Sequence, residues 1–139
     1  MSYNSRQVRS PTTSMHSIHL TTLDDDLIKS MFNEKERSIE LCAWLKIKHA
    51  ALLPSMLVVE FKHRHSINRM DWQIIDTARI SEHSTTLLLT GVLPVLPKYI
   101  KELTVHFCHP SDKVQCEVEE LRINKRLIRQ DVHDFTYVA

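Results

Sequence analysis

The sequence predicts an all-β fold, an antiparallel β-sandwich of about eight strands, from three observations. From residue 17 onward apolar side chains recur mostly with a period of two, the alternating runs are short and punctuated by Pro, Ser, Asp or Asn, and only one zone carries a helical stripe. A chain of 139 residues fits one domain around one core. Residues 1–14 are polar with no periodic apolar face and read as a flexible N-terminal tail, leaving 15–139 as a single sandwich domain.

SIHLTTL (17–23) sets Ile18 and Leu20 against His19 and Thr21. LDDDLIKSMFNEKER (23–37) is open between two readings. Asp24–Asp26 can cap a short helix carrying Leu27, Ile28, Met31 and Phe32, or Leu27–Phe32 can be a strand turning at Asn33–Arg37. RSIELCAWLKIK (37–48) is the clearest half-buried strand, with Ile39, Leu41, Ala43, Leu45 and Ile47 on one face. After Pro54, SMLVVEFKHRH (55–65) groups Leu57, Val59 and Phe61, and DWQIIDTARI (71–80) is β-branched and aromatic. SEHS (81–84) reads as a turn before TTLLLTGVL (85–93), which Pro94 and Pro97 end because proline cannot donate to a ladder. KELTVHFCH (101–109) groups Leu103, Val105 and Phe107, and HPSD (109–112) is a second turn.

KVQCEVEELRINKR (113–126) breaks its own alternation. Val114, Cys116 and Val118 share a face, yet the next apolar residues are Leu121 and Ile123, so the phase flips across Glu119-Glu120. A β-bulge there lets two residues oppose one and returns the apolar set to the core. RLIRQDVHDFTYVA (126–139) adds an edge strand, a candidate for pairing with a partner chain.

Bulk properties exclude several function classes. The net charge of +1 gives no global field for nucleic acid or an anionic membrane, and Gly91, the sole glycine, rules out the glycine-rich phosphate loops. No run approaches the roughly 20 apolar residues of a membrane span. MSYNSRQVRSPTTS lacks the apolar region of a signal peptide, so a cytoplasmic location is expected. Cys42, Cys108 and Cys116 are odd in number without CxxC spacing, and read as reduced core residues.

The order of signals resembles the galactose-binding-like jelly roll of many carbohydrate-binding modules. IELCAWLK (39–46) is similar to that family's "Y-x-x-S-x-W-x-K" segment, Asp71–Ile75 to its strand opening with Trp, and Leu93-Pro94 or Leu96-Pro97 to its hydrophobic-Pro step. CEVEELRI (116–123) is similar to its closing strand, with Glu119-Glu120 in place of an acidic pair. The resemblance covers about residues 17–125, truncated at the N-terminus, and implies a sandwich of jelly-roll type. The family's opening Asn and Phe-Glu segment has no counterpart, so no metal or other cofactor is expected; Glu119 and Glu120 mark where a structural calcium would sit.

The resemblance implies a non-catalytic module recognising a carbohydrate or glycan-like ligand through an exposed strand face. Trp44 falls out of phase with the core set, on the face of Glu40, Cys42, Lys46 and Lys48. Trp44, Lys46 and Lys48 are the candidate ligand-binding residues, with His63 and Arg64 at the rim. The competing reading is a protein-interaction or assembly module, including a homo-oligomer, using the same face or an edge strand. His63, His65, His106 and His109 read as surface histidines rather than a zinc set, and KHRHSINR (62–69) as a solvated basic hairpin end without nucleic-acid contact. No GxSxG or HExxH motif occurs, and a Cys108–His106 nucleophile would need both side chains in one cleft, so no enzyme activity is expected.

Overall fold

A computed structural model describes residues 9–48, 52–66, 69–80 and 85–132. As expected, the chain is an all-β sandwich, with eight strands in two antiparallel sheets. Strands β1 (His16–Leu23), β6 (Ile100–His109), β3 (Pro54–His63) and β4 (Met70–Arg79) form the first sheet in that order. Strands β5 (Thr85–Leu93), β2 (Ile39–Lys48), β7 (Gln115–Ile123) and β8 (Arg126–Arg129) form the second. Only β3–β4 and β7–β8 are hairpins within one sheet; every other connection crosses between sheets.

The core lies between the sheets. Leu41, Ala43, Leu45 and Ile47 of β2 alternate inward as their period requires, and meet Leu57, Val59 and Phe61 of β3 and Leu103, Val105 and Phe107 of β6. Helix α2 (Asp25–Met31) closes this core by inserting Ile28. The helix wins over the strand reading because Asp24 caps it, its carboxylate accepting the Leu27 N–H at 2.8 Å, while Asp25 and Asp26 face the positive helix start.

The Glu119-Glu120 bulge forms as expected. Trp44 pairs with Glu120 and Leu45 with Val118, so one residue is extra on β7 and both Val118 and Leu121 are buried. The Asp131 carboxylate accepts the Val118 N–H at 2.8 Å, and the Asp131 N–H donates to the Val118 carbonyl at 2.8 Å. The chain after β8 is thereby tied down at the bulge.

Three segments differ from expectation. Pro11–Ser14, placed in the tail, form a short helix, α1, with Pro11 buried against the outer face of the first sheet; residues 1–8 lie outside the described residues. In β1 a second bulge, between His19 and Thr21, adds Leu23 to the core beside buried Leu20, with Ile18 packed against it. Among the described residues the closing edge strand is Arg126–Arg129, and 133–139, like the expected turn at 81–84, lie outside them.

Both lateral openings of the sandwich are sealed by side chains. On one side the Asp76 carboxylate accepts the Thr90 N–H at 2.9 Å and the Gln73 amide donates to the Val92 carbonyl at 3.3 Å, joining β4 to the free edge of β5. On the other, the Arg129 guanidinium donates to the Leu20 carbonyl at 2.9 Å and is held by Asp131 at 2.8 Å. No helix among the described residues is long and apolar enough to cross a membrane.

Candidate binding face

Pleating sends the even-numbered side chains of β2 outward, so Glu40, Cys42, Trp44, Lys46 and Lys48 lie in one row on the outer face of the second sheet. Cross-strand pairing sets Leu88 of β5 beside Trp44, Val92 beside Glu40 and Thr90 beside Cys42. On the other flank, Glu120 faces Trp44, Glu117 faces Lys46, and Arg122 lies between Cys42 and Leu127. Four apolar side chains on this face are substantially open to solvent: Trp44 at 38%, Leu88 at 42%, Val92 at 49% and Leu127 at 49%. They gather on one half of the sheet, while Lys46, Lys48 and Glu117 occupy the other. Lys48 and Glu117 pair at 3.6 Å, and Arg122 and Glu120 at 2.6 Å.

Two shallow cavities flank the Trp44 row. One, of about 470 Å³, is lined by Glu40, Cys42, Thr90, Val92, Arg122 and Lys125. The other, of about 480 Å³, joins Trp44 to Glu119, Glu120, Gln130 and Asp131. Among the described residues Trp44 is the one aromatic ring on the face: Phe61 and Phe107 are in the core, Phe32 and Tyr99 are on other elements, and Trp72 belongs to the first sheet. No group of three metal-ligating side chains that could hold an ion occurs among the described residues.

His63 and Arg64 do not join the Trp44 row. The chain leaves the second sheet at Lys48 and enters the first at Pro54, so the far end of β3, where His63 sits, is at the opposite end of the sandwich from Lys48. There His63 Nε2 meets Asp71 at 2.6 Å. Arg64 donates to the carbonyls of Lys98 and Ile100 at 3.1 and 2.9 Å and lies 2.6 Å from Asp25. The Arg64 guanidinium holds the Asp25 carboxyl below its ordinary value of 3.8.

Sequence reasoning missed one polar network. On the outer face of the first sheet, His106 Nδ1 lies 3.1 Å from Ser17 Oγ and its Nε2 lies 2.9 Å from Glu60, whose other oxygen accepts from Thr12 at 2.9 Å. Burial pushes the His106 ring below its usual 6.5, Glu60 opposing. No short-range spacing links Thr12, Ser17, Glu60 and His106; only the β1–β6–β3 pairing brings them together. The network latches α1 onto the sheet. Nearby Cys108 is buried, and desolvation pushes its thiol up to about 11; burial pushes Cys116 up to about 12. Neither is an activated nucleophile.

No protein-family model matches this chain, and neither a curated protein nor a solved structure matches it.

Proposed function

We propose that the chain is a non-catalytic assembly module that packs the outer face of its second sheet against a second copy of itself. The observation that carries this reading is the Leu88–Trp44 pair, two large apolar side chains side by side in mid-face and both more than a third exposed. Val92 and Leu127 extend the patch across the sheet. The face is favoured over the edges of β5 and β1 because Asp76, Gln73 and Arg129 occupy backbone groups there that edge pairing would use.

A second copy fits because a two-fold contact must be self-complementary. The face mixes both signs, with Glu40, Glu117, Glu119, Glu120 and Asp131 among Lys46, Lys48, Arg122 and Lys125, and the chain's net charge of +1 adds little mutual repulsion.

A carbohydrate ligand is the second reading, carried by the exposed Trp44 ring, which offers one stacking surface for a pyranose. Sedimentation velocity and a glycan array, each run on wild type and Trp44→Ala, separate the two. The assembly reading expects a dimer in wild type and no Trp44-dependent glycan binding. A monomer that binds a glycan through Trp44 would replace it with the carbohydrate reading.

A further inference from the structure

At the other end of the sandwich, Lys62, His63, Arg64, Ser66, Arg69 and Lys101 line a cavity of about 420 Å³. We propose that this cavity binds the phosphate group of a small phosphomonoester bearing an apolar substituent.

The wall contains four permanent cations, one histidine and one hydroxyl, with no carboxylate among them. The carboxylates that pair with these cations are outside that lining. Asp71 holds His63 at 2.6 Å and Arg69 at 3.3 Å through one oxygen, Glu102 holds Lys62 at 3.5 Å, and Asp25 holds Arg64 at 2.6 Å. Lys101 makes no ion pair among the described residues and is exposed. Four cations therefore face three carboxylates, and the surplus positive charge rests on Lys101, while Arg64 is held in place through Lys98, Ile100 and Asp25. Arginine and lysine side chains so arranged suit a dianionic group with three terminal oxygens, whose bonds to ionised donors are the stronger kind. The backbone reinforces the cavity: the His63 N–H donates to the Arg69 carbonyl at 3.2 Å, and the Arg64 N–H to the Tyr99 carbonyl at 2.8 Å.

The apolar substituent follows from Arg64. The same side chain lines a second cavity, of about 240 Å³, to which Ile28, Phe32 and Pro97 contribute apolar surface. Arg64 is common to both linings, so a ligand whose phosphate meets it in the first cavity lies beside the side chain that borders the apolar one.

The test is an amide chemical-shift titration of the full chain with three probes: inorganic phosphate, phenyl phosphate and phenyl sulfate. Saturable shifts at Ser66, Arg69 and Lys101 are expected with phenyl phosphate, with weaker binding of inorganic phosphate and of the monoanionic sulfate. Lys101→Ala, at an exposed position that leaves the fold intact, is expected to weaken phenyl phosphate about fivefold or more, and Lys101→Arg to retain it. Equal affinity for inorganic and phenyl phosphate would refute the apolar substituent. Shifts spread over the whole surface, or binding indifferent to Lys101→Ala, would overturn the site itself.

Discussion

The Asp76 carboxylate of one sheet accepts the backbone N–H of Thr90 in the other, at 2.9 Å. The bond occupies the free edge of β5, TTLLLTGVL, a run without a single charge that would otherwise be open to pairing with another chain. Asp76→Ala is expected to cost about 1 kcal/mol, as one partly exposed hydrogen bond does, and to raise the aggregation rate well beyond what that loss explains. Urea unfolding and light scattering on the same samples separate the two effects.

Gly91 sits where β5 passes β4. A Cβ placed there would overlap both the Ile75 carbonyl oxygen and the Ile75 side chain. Gly91→Ala is expected to destabilise by about 1–3 kcal/mol, the usual cost of forced displacement in a packed site. Adding Ile75→Ala should recover little, because the carbonyl oxygen remains in the way. Full recovery in urea unfolding would show that the side chain alone sets the limit.

Removing Glu119 altogether should be far worse than changing it. Glu119→Gln is expected to stay within about 0.5 kcal/mol of wild type, as surface substitutions do. Deletion of Glu119 removes the bulge and returns Leu121 and Ile123 to the solvent face, so no cooperative unfolding transition is expected by circular dichroism.

Stability should fall on acidification through His106. Burial lowers its folded-state value below 6.5, partly offset by Glu60, with His19 adding to the lowering. The unfolded chain then binds more protons, so the contribution is fully present above 6.5 and is lost as pH falls toward the lowered folded value. His106→Gln should flatten that part of the stability profile; an unchanged slope would assign it to other groups.

The three thiols should react very unequally. Cys108 and Cys116 are held protonated at neutral pH, at about 11 and 12, whereas Cys42 is half-buried in the cavity beside Val92. Mass spectrometry after brief alkylation should find Cys42 modified first. If the Trp44 face is covered in a dimer, the Cys42 rate should drop as protein concentration rises.

What the sequence made legible was periodicity, and periodicity fixes faces better than neighbours. The flip across Glu119-Glu120 identified a bulge because Val118, Leu121 and Ile123 cannot share a face without one. The bulge in β1 leaves no such mark, because Ile18 and Leu20 alternate well enough alone, and only the pairing with β6 shows the shift after His19. Two-residue spacing on one strand is enough to put Trp44, Lys46 and Lys48 on one face. His63 and Arg64 are separated from that row by a change of sheet between Lys48 and Pro54, a step that no local pattern encodes. The outward position of Leu88 is hidden in the sequence because Leu87, Leu88 and Leu89 are all apolar, and alternation within such a run carries no phase.

Sedimentation equilibrium of wild type and Leu88→Lys over a range of concentrations tests the assembly face most directly, because position 88 is exposed and a lysine there leaves the core untouched. The expected result is a wild-type dimer and a folded Leu88→Lys monomer, with dissociation at least about tenfold easier for the variant. A wild type that stays monomeric throughout, or a dimer that Leu88→Lys leaves unchanged, would contradict the proposal.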